Sequence, residues 1–192
     1  MSKKSDRDDA VSAGPTLARL ERLSRLIRSA SQTEGLNAAQ WEALRYLARA
    51  NSFSNSPGAL ARYLGATKGT ISQTVMALIK KGAIAKTSRG DDARSVVLTL
   101  TEAGQKILND DPLLGLEKNI NKLGDKTAKR FAKGLAEILD GEIKHQGEPS
   151  FGNCSACAHA SKKQGDVNCS VFHVNVSADD MALFCVHHQA KA

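Results

Sequence analysis

Four cysteines carry the most concentrated chemistry in this chain. Cys154, Cys157, Cys169 and Cys185 are spaced C-x2-C-x11-C-x15-C, and no cysteine precedes them. Thiolates are soft metal ligands, so their concentration in one terminal stretch predicts one shared metal site rather than scattered buried thiols. Which metal they hold stays open at this level. All-cysteine zinc sites usually draw on two close pairs, and only Cys154 and Cys157 form one here. An iron–sulfur cluster takes single thiolates from separated parts of a chain more readily. The flanking Phe151, Val171, Phe172, Val174, Val176, Leu183, Phe184 and Val186 would shield such a cluster from water. The first expectation is therefore an iron–sulfur cluster of the 4Fe–4S type, with zinc as the alternative and a regulatory disulfide as a third reading. His159, His173, His187 and His188 share the stretch and are read as outer partners or solvent-facing groups.

A second chemistry lies between Thr67 and Lys81. Ile71, Val75 and Leu78 fall at i, i+4 and i+7, one apolar stripe of a helix. Thr67, Lys68, Thr70 and Gln73 fall mostly on the other side, and none is acidic. Short hydroxyls and an amide can reach base edges while a lysine meets phosphate, which suits the groove of double-stranded DNA. Thr67 is placed to cap this helix, whose free N–H groups would favour phosphate oxygens. The net charge of +7 agrees with an anionic partner. Its distribution is sharper. Arg62, Lys68, Lys80, Lys81, Lys86, Arg89 and Arg94 gather here against only Asp91 and Asp92.

Those residues carry a resemblance. The runs L-G-A-T-K-G-T-I-S-Q-T-V, L-I-K-K-G-A-I, R-G-D-D-A-R and L-T-E-A-G, in this order, resemble the winged helix-turn-helix of MarR-type transcription regulators. The resemblance covers about Pro15 to Gln146. It implies a mainly α fold with a small β-hairpin wing, a MarR-like dimer, and a recognition helix that starts at the Thr67–Lys68 pair and enters the major groove. It also implies that Asp92 steadies Arg94 at the minor groove, with Arg89 on the same wing, and that a small aromatic effector binds between the dimer helices and the winged domain. Ala93 and Gln73 stand where many members have arginine, which implies one backbone contact fewer and a different base preference. In the tail, the C-x-x-C, the C-S-V-F and the lone later cysteine resemble the cluster-binding segment of high-potential iron–sulfur proteins over a short span.

Local signals assign the elements that must position these groups. Residues 1–14 are charged and read as a mobile arm. Pro15 opens an amphipathic helix with Leu17, Leu20, Leu23, Leu26 and Ile27 on one side, ending near Gly35. Asn37 caps a second helix, with Gln40 completing a capping box and Trp41, Leu44 and Leu47 facing inward. Ser56 and Pro57 start a third helix that turns at Gly65, and Gly82 stops the recognition helix. Strands are expected over 83–88 and 95–100, with 89–94 as the hairpin tip. Thr101 starts a fifth helix, interrupted at Asp110–Asp111–Pro112. After Gly124, Asp125 is the expected cap of a last helix carrying Phe131, Leu135, Ile138 and Leu139. These late helices have more apolar surface than a small winged domain needs, which a homodimer would bury. The domains are then 1–14, a DNA-binding and dimerisation domain over 15–146, a linker at 147–150, and the cysteine-rich tail within 147–192.

No apolar run approaches the ~20 residues of a membrane span, and MSKKSDRDDA lacks the apolar core of a signal peptide. A cytoplasmic setting with reduced thiols is expected. No acid–base or nucleophile constellation and no nucleotide-binding glycine motif is visible, so no catalytic residue is assigned. The leading reading is a dimeric DNA-binding regulator on a pseudo-palindromic operator. It senses redox state, iron, oxygen or nitric oxide through the tail, whose repacking on the dimer helices would change the spacing of the recognition helices. The alternatives are a regulator with a structural zinc site that answers a small aromatic ligand, and a redox or electron-transfer protein.

Overall fold

The computed structural model describes residues 13–32, 35–89, 92–163 and 166–191. Among these described residues eight α-helices and five strands follow in order: α1 (Ala13–Ala30), α2 (Ala38–Arg49), α3 (Pro57–Leu64), α4 (Lys68–Lys80), β1 (Ile84–Arg89), β2 (Asp92–Leu100), α5 (Glu102–Asn109), α6 (Leu114–Asn121), α7 (Asp125–Gln146), β3 (Ala160–Lys163), β4 (Asp166–Cys169), β5 (Val174–Asn175) and α8 (Ala178–Met181). The expected mainly α fold with a two-stranded wing is present. Most of the expected caps are also found. Asn37 and Gln40 form a reciprocal capping box, Ser56 Oγ accepts from Ala59 N, and Thr101 Oγ1 accepts from Gly104 N. Gly65 and Gly82 take positive φ where the chain leaves α3 and α4.

Four boundaries differ from expectation. α1 starts at Ala13, and ends at Ala30 rather than near Gly35, where the buried Ser31 turns its hydroxyl back to the Ile27 carbonyl (2.9 Å). The wing strands reach further, with Arg89 paired to Asp92 after a register shift between Ser88 and Arg89, so strand pairing extends into the stretch expected as the tip. Gly124, not Asp125, holds the cap position of α7, without a side-chain cap bond. The expected break at Asp111 has a partner the sequence did not reveal. Arg45 of α2 grips the Asp111 carboxylate with two bonds, Nε to Oδ2 at 2.7 Å and Nη2 to Oδ1 at 2.8 Å.

The core lies between α2, α3, α4 and the base of the wing. Trp41, Leu44, Leu60 and Leu78 are fully buried in it, and Ile71, Ile84 and Leu98 nearly so. α5 closes the base through Gly104, which lies directly on the Ala83 carbonyl. In contrast α1, α6 and α7 bury none of their residues, and Leu17, Leu26, Leu123, Phe131, Leu135, Ile138 and Leu139 are exposed. No helix among the described residues is long and apolar enough to cross a membrane.

The tail joins this core. Val186 belongs to the same buried cluster as Trp41 and Ile71, and Phe151 packs against it. Every aromatic residue except Trp41 and Phe131 sits at the seam between tail and winged domain. Tyr46 faces Tyr63 (ring centres 4.7 Å) and Phe151 (6.1 Å). Tyr63 meets Phe151 edge-on (5.0 Å) and Phe184 face-on (6.1 Å), and Phe53 stacks on Phe172 (4.3 Å). The residues read as a linker, 147–150, end in Ser150, whose hydroxyl bonds the His188 ring and carbonyl.

Candidate functional site

α4 presents two faces. Ile71, Val75 and Leu78 point into the core, 2%, 6% and 0% exposed, while Thr67, Lys68, Thr70 and Gln73 are exposed. Thr67 Oγ1 caps the helix by accepting from Thr70 N (3.2 Å) and lies 2.9 Å from Thr70 Oγ1. Both hydroxyls are thus oriented by the cap while their outer lone pairs face solvent. No acidic residue stands in the first turn, so the helix N-terminus keeps its favourable field for an anion. Ser72, not singled out from the sequence, is exposed on the same side as Lys68, one helical turn on. With Lys68 and Lys86 it lines a groove of about 370 Å³ beside the wing. The i, i+4 spacing from Lys68 was the signal for it. The wing residues Arg89, Asp92 and Arg94 are placed in strands by their backbone, but their side chains lie outside the described residues.

The four cysteines are placed by backbone pairing of the tail with itself. Cys154 and Cys157 flank a 3-10 turn closed by Cys157 N to Cys154 O (3.3 Å). The last residues run back along that turn, with Ala158 N bonding Gln189 O (2.7 Å) and Lys191 N bonding Ala156 O (3.1 Å). Cys169 pairs with Ala160 across β3 and β4 and with Val174 of β5. Cys185 bridges to Gly152, donating its N–H to the Gly152 carbonyl at 2.9 Å. Cys157 and Cys185 are buried and Cys154 and Cys169 half-buried, all four as free thiols. Burial pushes the Cys154 thiol up, and the charges of Cys185, Cys157 and Cys169 push it further. Cys154 thus feels the other three thiols of the tail. Among the described residues, no three His, Cys, Asp or Glu side chains are drawn into a ready ligand cage.

The histidines divide. His173 and His187 are exposed and His159 is half-buried. His188 lies on Gly152 so closely that a Cβ there would stand 2.7 Å from Nε2. Its Nδ1 is 3.0 Å from Ser150 Oγ, its Nε2 is buried without a partner, and burial lowers its pKa. The ring packs on the backbone just before the C-x-x-C turn.

Two openings border these parts. One, about 460 Å³, is lined by Cys154 with Val167, Ala178 and Met181, and by Lys162 and Lys191. The other is a cleft of about 640 Å³ between α7 and the winged domain, lined by Arg28, Arg62, Tyr63, Leu139, Phe151 and Phe184 among others.

Residues 34–95 match the MarR family model. A MarR transcriptional regulator from Methanosarcina mazei Go1 superposes with a TM-score of 0.54 at 22% identity, covering 69% of this chain and 96% of that one. The fold is that of the MarR regulators. Streptococcus pneumoniae FabT, solved in complex with DNA, gives a TM-score of 0.56 at 16% identity over 69% of this chain and 99% of that one. A MarR/EmrR family regulator from Acinetobacter sp. ADP1 gives 0.51 at 22% identity over 69% and 97%. No curated protein matches the chain by sequence. The MarR fold therefore accounts for about two thirds of this chain, and these relatives are covered almost end to end without the remainder.

Proposed function

We propose that this chain is a transcription regulator that binds double-stranded DNA as a homodimer and carries a metal-responsive tail. The carrying observation is α4. It is a helix of 13 residues anchored by one buried stripe, with an acid-free, exposed face of Thr67, Lys68, Thr70, Ser72 and Gln73. The DNA complexes of FabT and of S. aureus MepR, which share the fold at TM-scores of 0.56 and 0.51, support the same use of it here. Two copies joined through the exposed apolar residues of α1, α6 and α7 would present two such helices, so the operator is pseudo-palindromic with half-sites about 10 base pairs apart.

Cys154, Cys157, Cys169 and Cys185 would hold an iron–sulfur cluster, or zinc in its place. The four free thiols within one stretch and their partial burial support either. A cluster would supply sensitivity to oxidants, and zinc would supply a cross-link. Elemental analysis and visible absorption of anaerobically purified protein decide between them. The cleft beside Arg28, Arg62 and Tyr63, with cationic and aromatic walls, supports a second input, a small aromatic anion as effector.

The direct test is binding to duplexes selected from a random pool, titrated against salt. Affinity should fall steeply as salt rises, and Lys68→Ala should reduce the slope of log K against log salt by about 1, weakening all sequences alike. Affinity for single- and double-stranded DNA that is equal and indifferent to Lys68 would reject the reading.

A further inference from the structure

The tail was expected to act on the dimer helices. Its bonds run elsewhere. Every residue from Arg49 to Ser54, the connection between α2 and α3, touches it. Phe184 N donates to Arg49 O (2.6 Å), Ala50 pairs with Phe184, and Asn51 N donates to Phe184 O (2.9 Å). Ser52 gives both its N–H (2.7 Å) and its hydroxyl (2.9 Å) to the Asp180 carboxylate. Phe53 stacks on Phe172, and Ser54 Oγ accepts from the buried N–H of Val186 at 2.8 Å. Cys185 stands in the middle of this segment, between Phe184 and Val186.

The connection is itself tied to the DNA-binding parts. Tyr46 of α2 donates its hydroxyl to Ser54 O (2.8 Å), Leu98 N of β2 donates to Asn55 O (2.7 Å), and Ser56 caps α3. A shift of this strip therefore moves the end of α2, the start of α3 and the base of the wing together.

We propose that the α2–α3 connection senses the thiol site: whether Cys185 is ligated is transmitted through Phe184 and Val186 to residues 49–54, and from there to the placing of α3 and the wing on DNA. This rests on the reading of the tail as a metal site. When a metal joins Cys185 to Cys154, Cys157 and Cys169, the 184–186 strip is fixed from both sides. Without metal the tail holds it only through the backbone bonds of Cys185 to Gly152 and His188, and the connection relaxes with it. The coupling has a contiguous physical route, and by linkage it is reciprocal: DNA must change the metal affinity by the factor by which metal changes the DNA affinity.

The test uses the full chain and Co2+, whose charge-transfer absorption reports thiolate ligation independently of DNA. DNA affinity is measured for apo and Co2+-loaded protein in wild type, Ser54→Ala and Asp180→Ala. Asp180 is half-buried and its bonds to Ser52 lie in exposed surroundings, so its variant should fold even if the buried Ser54 proves intolerant. The expected result is an affinity ratio of roughly tenfold or more in wild type, a coupling of about 1.4 kcal/mol. In the variants the ratio should fall below about threefold with the cobalt spectrum unchanged. A full ratio in both variants would overturn the proposal. So would loss of the cobalt spectrum in both, because the contacts would then build the site rather than report it. A wild-type ratio of one with cobalt bound overturns it too, while leaving the DNA-binding and metal-binding readings standing. A wild type that binds no cobalt through sulfur removes the metal reading on which it rests.

Discussion

Gly104→Ala should be the most damaging single-methyl change in the winged domain. A Cβ on Gly104 would overlap the Ala83 carbonyl oxygen, stand 3.1 Å from the Ala83 carbonyl carbon, and meet Leu100 Cδ2 at 3.2 Å. The obstacle is backbone, so no rotamer change relieves it. Ala83 O also accepts the Thr101 N–H (3.1 Å), and Thr101 Oγ1 both donates to Gly82 O (2.6 Å) and caps α5 through Gly104 N (3.1 Å). For the methyl to fit, α5 must withdraw by roughly 1 Å, which stretches all three bonds at once. Overpacking of this kind costs about 1–3 kcal/mol, and the strained cap adds about 1 kcal/mol. The expected loss is about 3 kcal/mol, or about 6–12 °C in Tm for a chain of this size. Gly115→Ala is the control. Nothing lies within 4 Å of a Cβ there, in the first turn of α6, so no loss and a gain of about 0.5 kcal/mol are expected. Urea melts at one fixed protein concentration measure both. A loss below about 1 kcal/mol for Gly104→Ala would show that the α5–wing junction yields, and would refute the argument that the glycine of L-T-E-A-G is there for backbone contact.

Two further outcomes follow from the packing of the helices. Burial alone would raise the Asp111 carboxyl, but the bonds from Arg45 and from Leu113 N–H outweigh it and hold it below its ordinary range. Its contribution is therefore complete above the unfolded value near ~4 and is lost as pH falls through the lower folded value. Asp111→Asn should cost about 2 kcal/mol at neutral pH, since Arg45 and Asp111 are 10% and 13% exposed and, among the described residues, Arg45 keeps Ser31 Oγ at 3.4 Å and the Trp41 ring at 5.4 Å in place of a charge partner. It should also flatten the acid limb of the stability curve, and an unchanged limb in pH-dependent urea melts would assign the acid sensitivity elsewhere. Ile138 is 52% exposed on α7, and Ile138→Asp should weaken a dimer formed there by at least about a hundredfold. Sedimentation at micromolar concentration would show it, and a dimer that survives unchanged would place the interface on another face.

What was legible in the sequence was what is local. Asn37, Ser56, Thr67 and Thr101 cap helices because a short polar side chain bonds an N–H three residues on, and Gly82 and Gly65 take positive φ where a Cβ is costly. The faces of α4 followed from periodicity alone. What was not legible joins distant residues. Ser52 with Asp180, Ser54 with Val186 and Arg45 with Asp111 are single polar pairs without periodicity, so nothing in the chain marks them in advance. The tail misled for a related reason. Its apolar residues read as shielding for a metal, and Val186 and Phe151 in fact pack in or on the core of the winged domain.

That placement constrains how the thiol site can work. A tail on a free linker could lose its metal and leave the DNA-binding part untouched. Here Val186 shares a buried cluster with Ile71 of α4, and the Tyr46 phenol, pushed well above its ordinary range chiefly by burial, also feels Cys185. A metal that binds the folded tail and not the unfolded chain stabilises the whole unit, by about 2.7 kcal/mol at a hundred times its Kd. Since the unit includes α4, that free energy would be shared with the helix-turn-helix. On the proposed metal reading, emptying the site would soften the connection at Arg49–Ser54 first, because there every residue of the winged domain touches the tail.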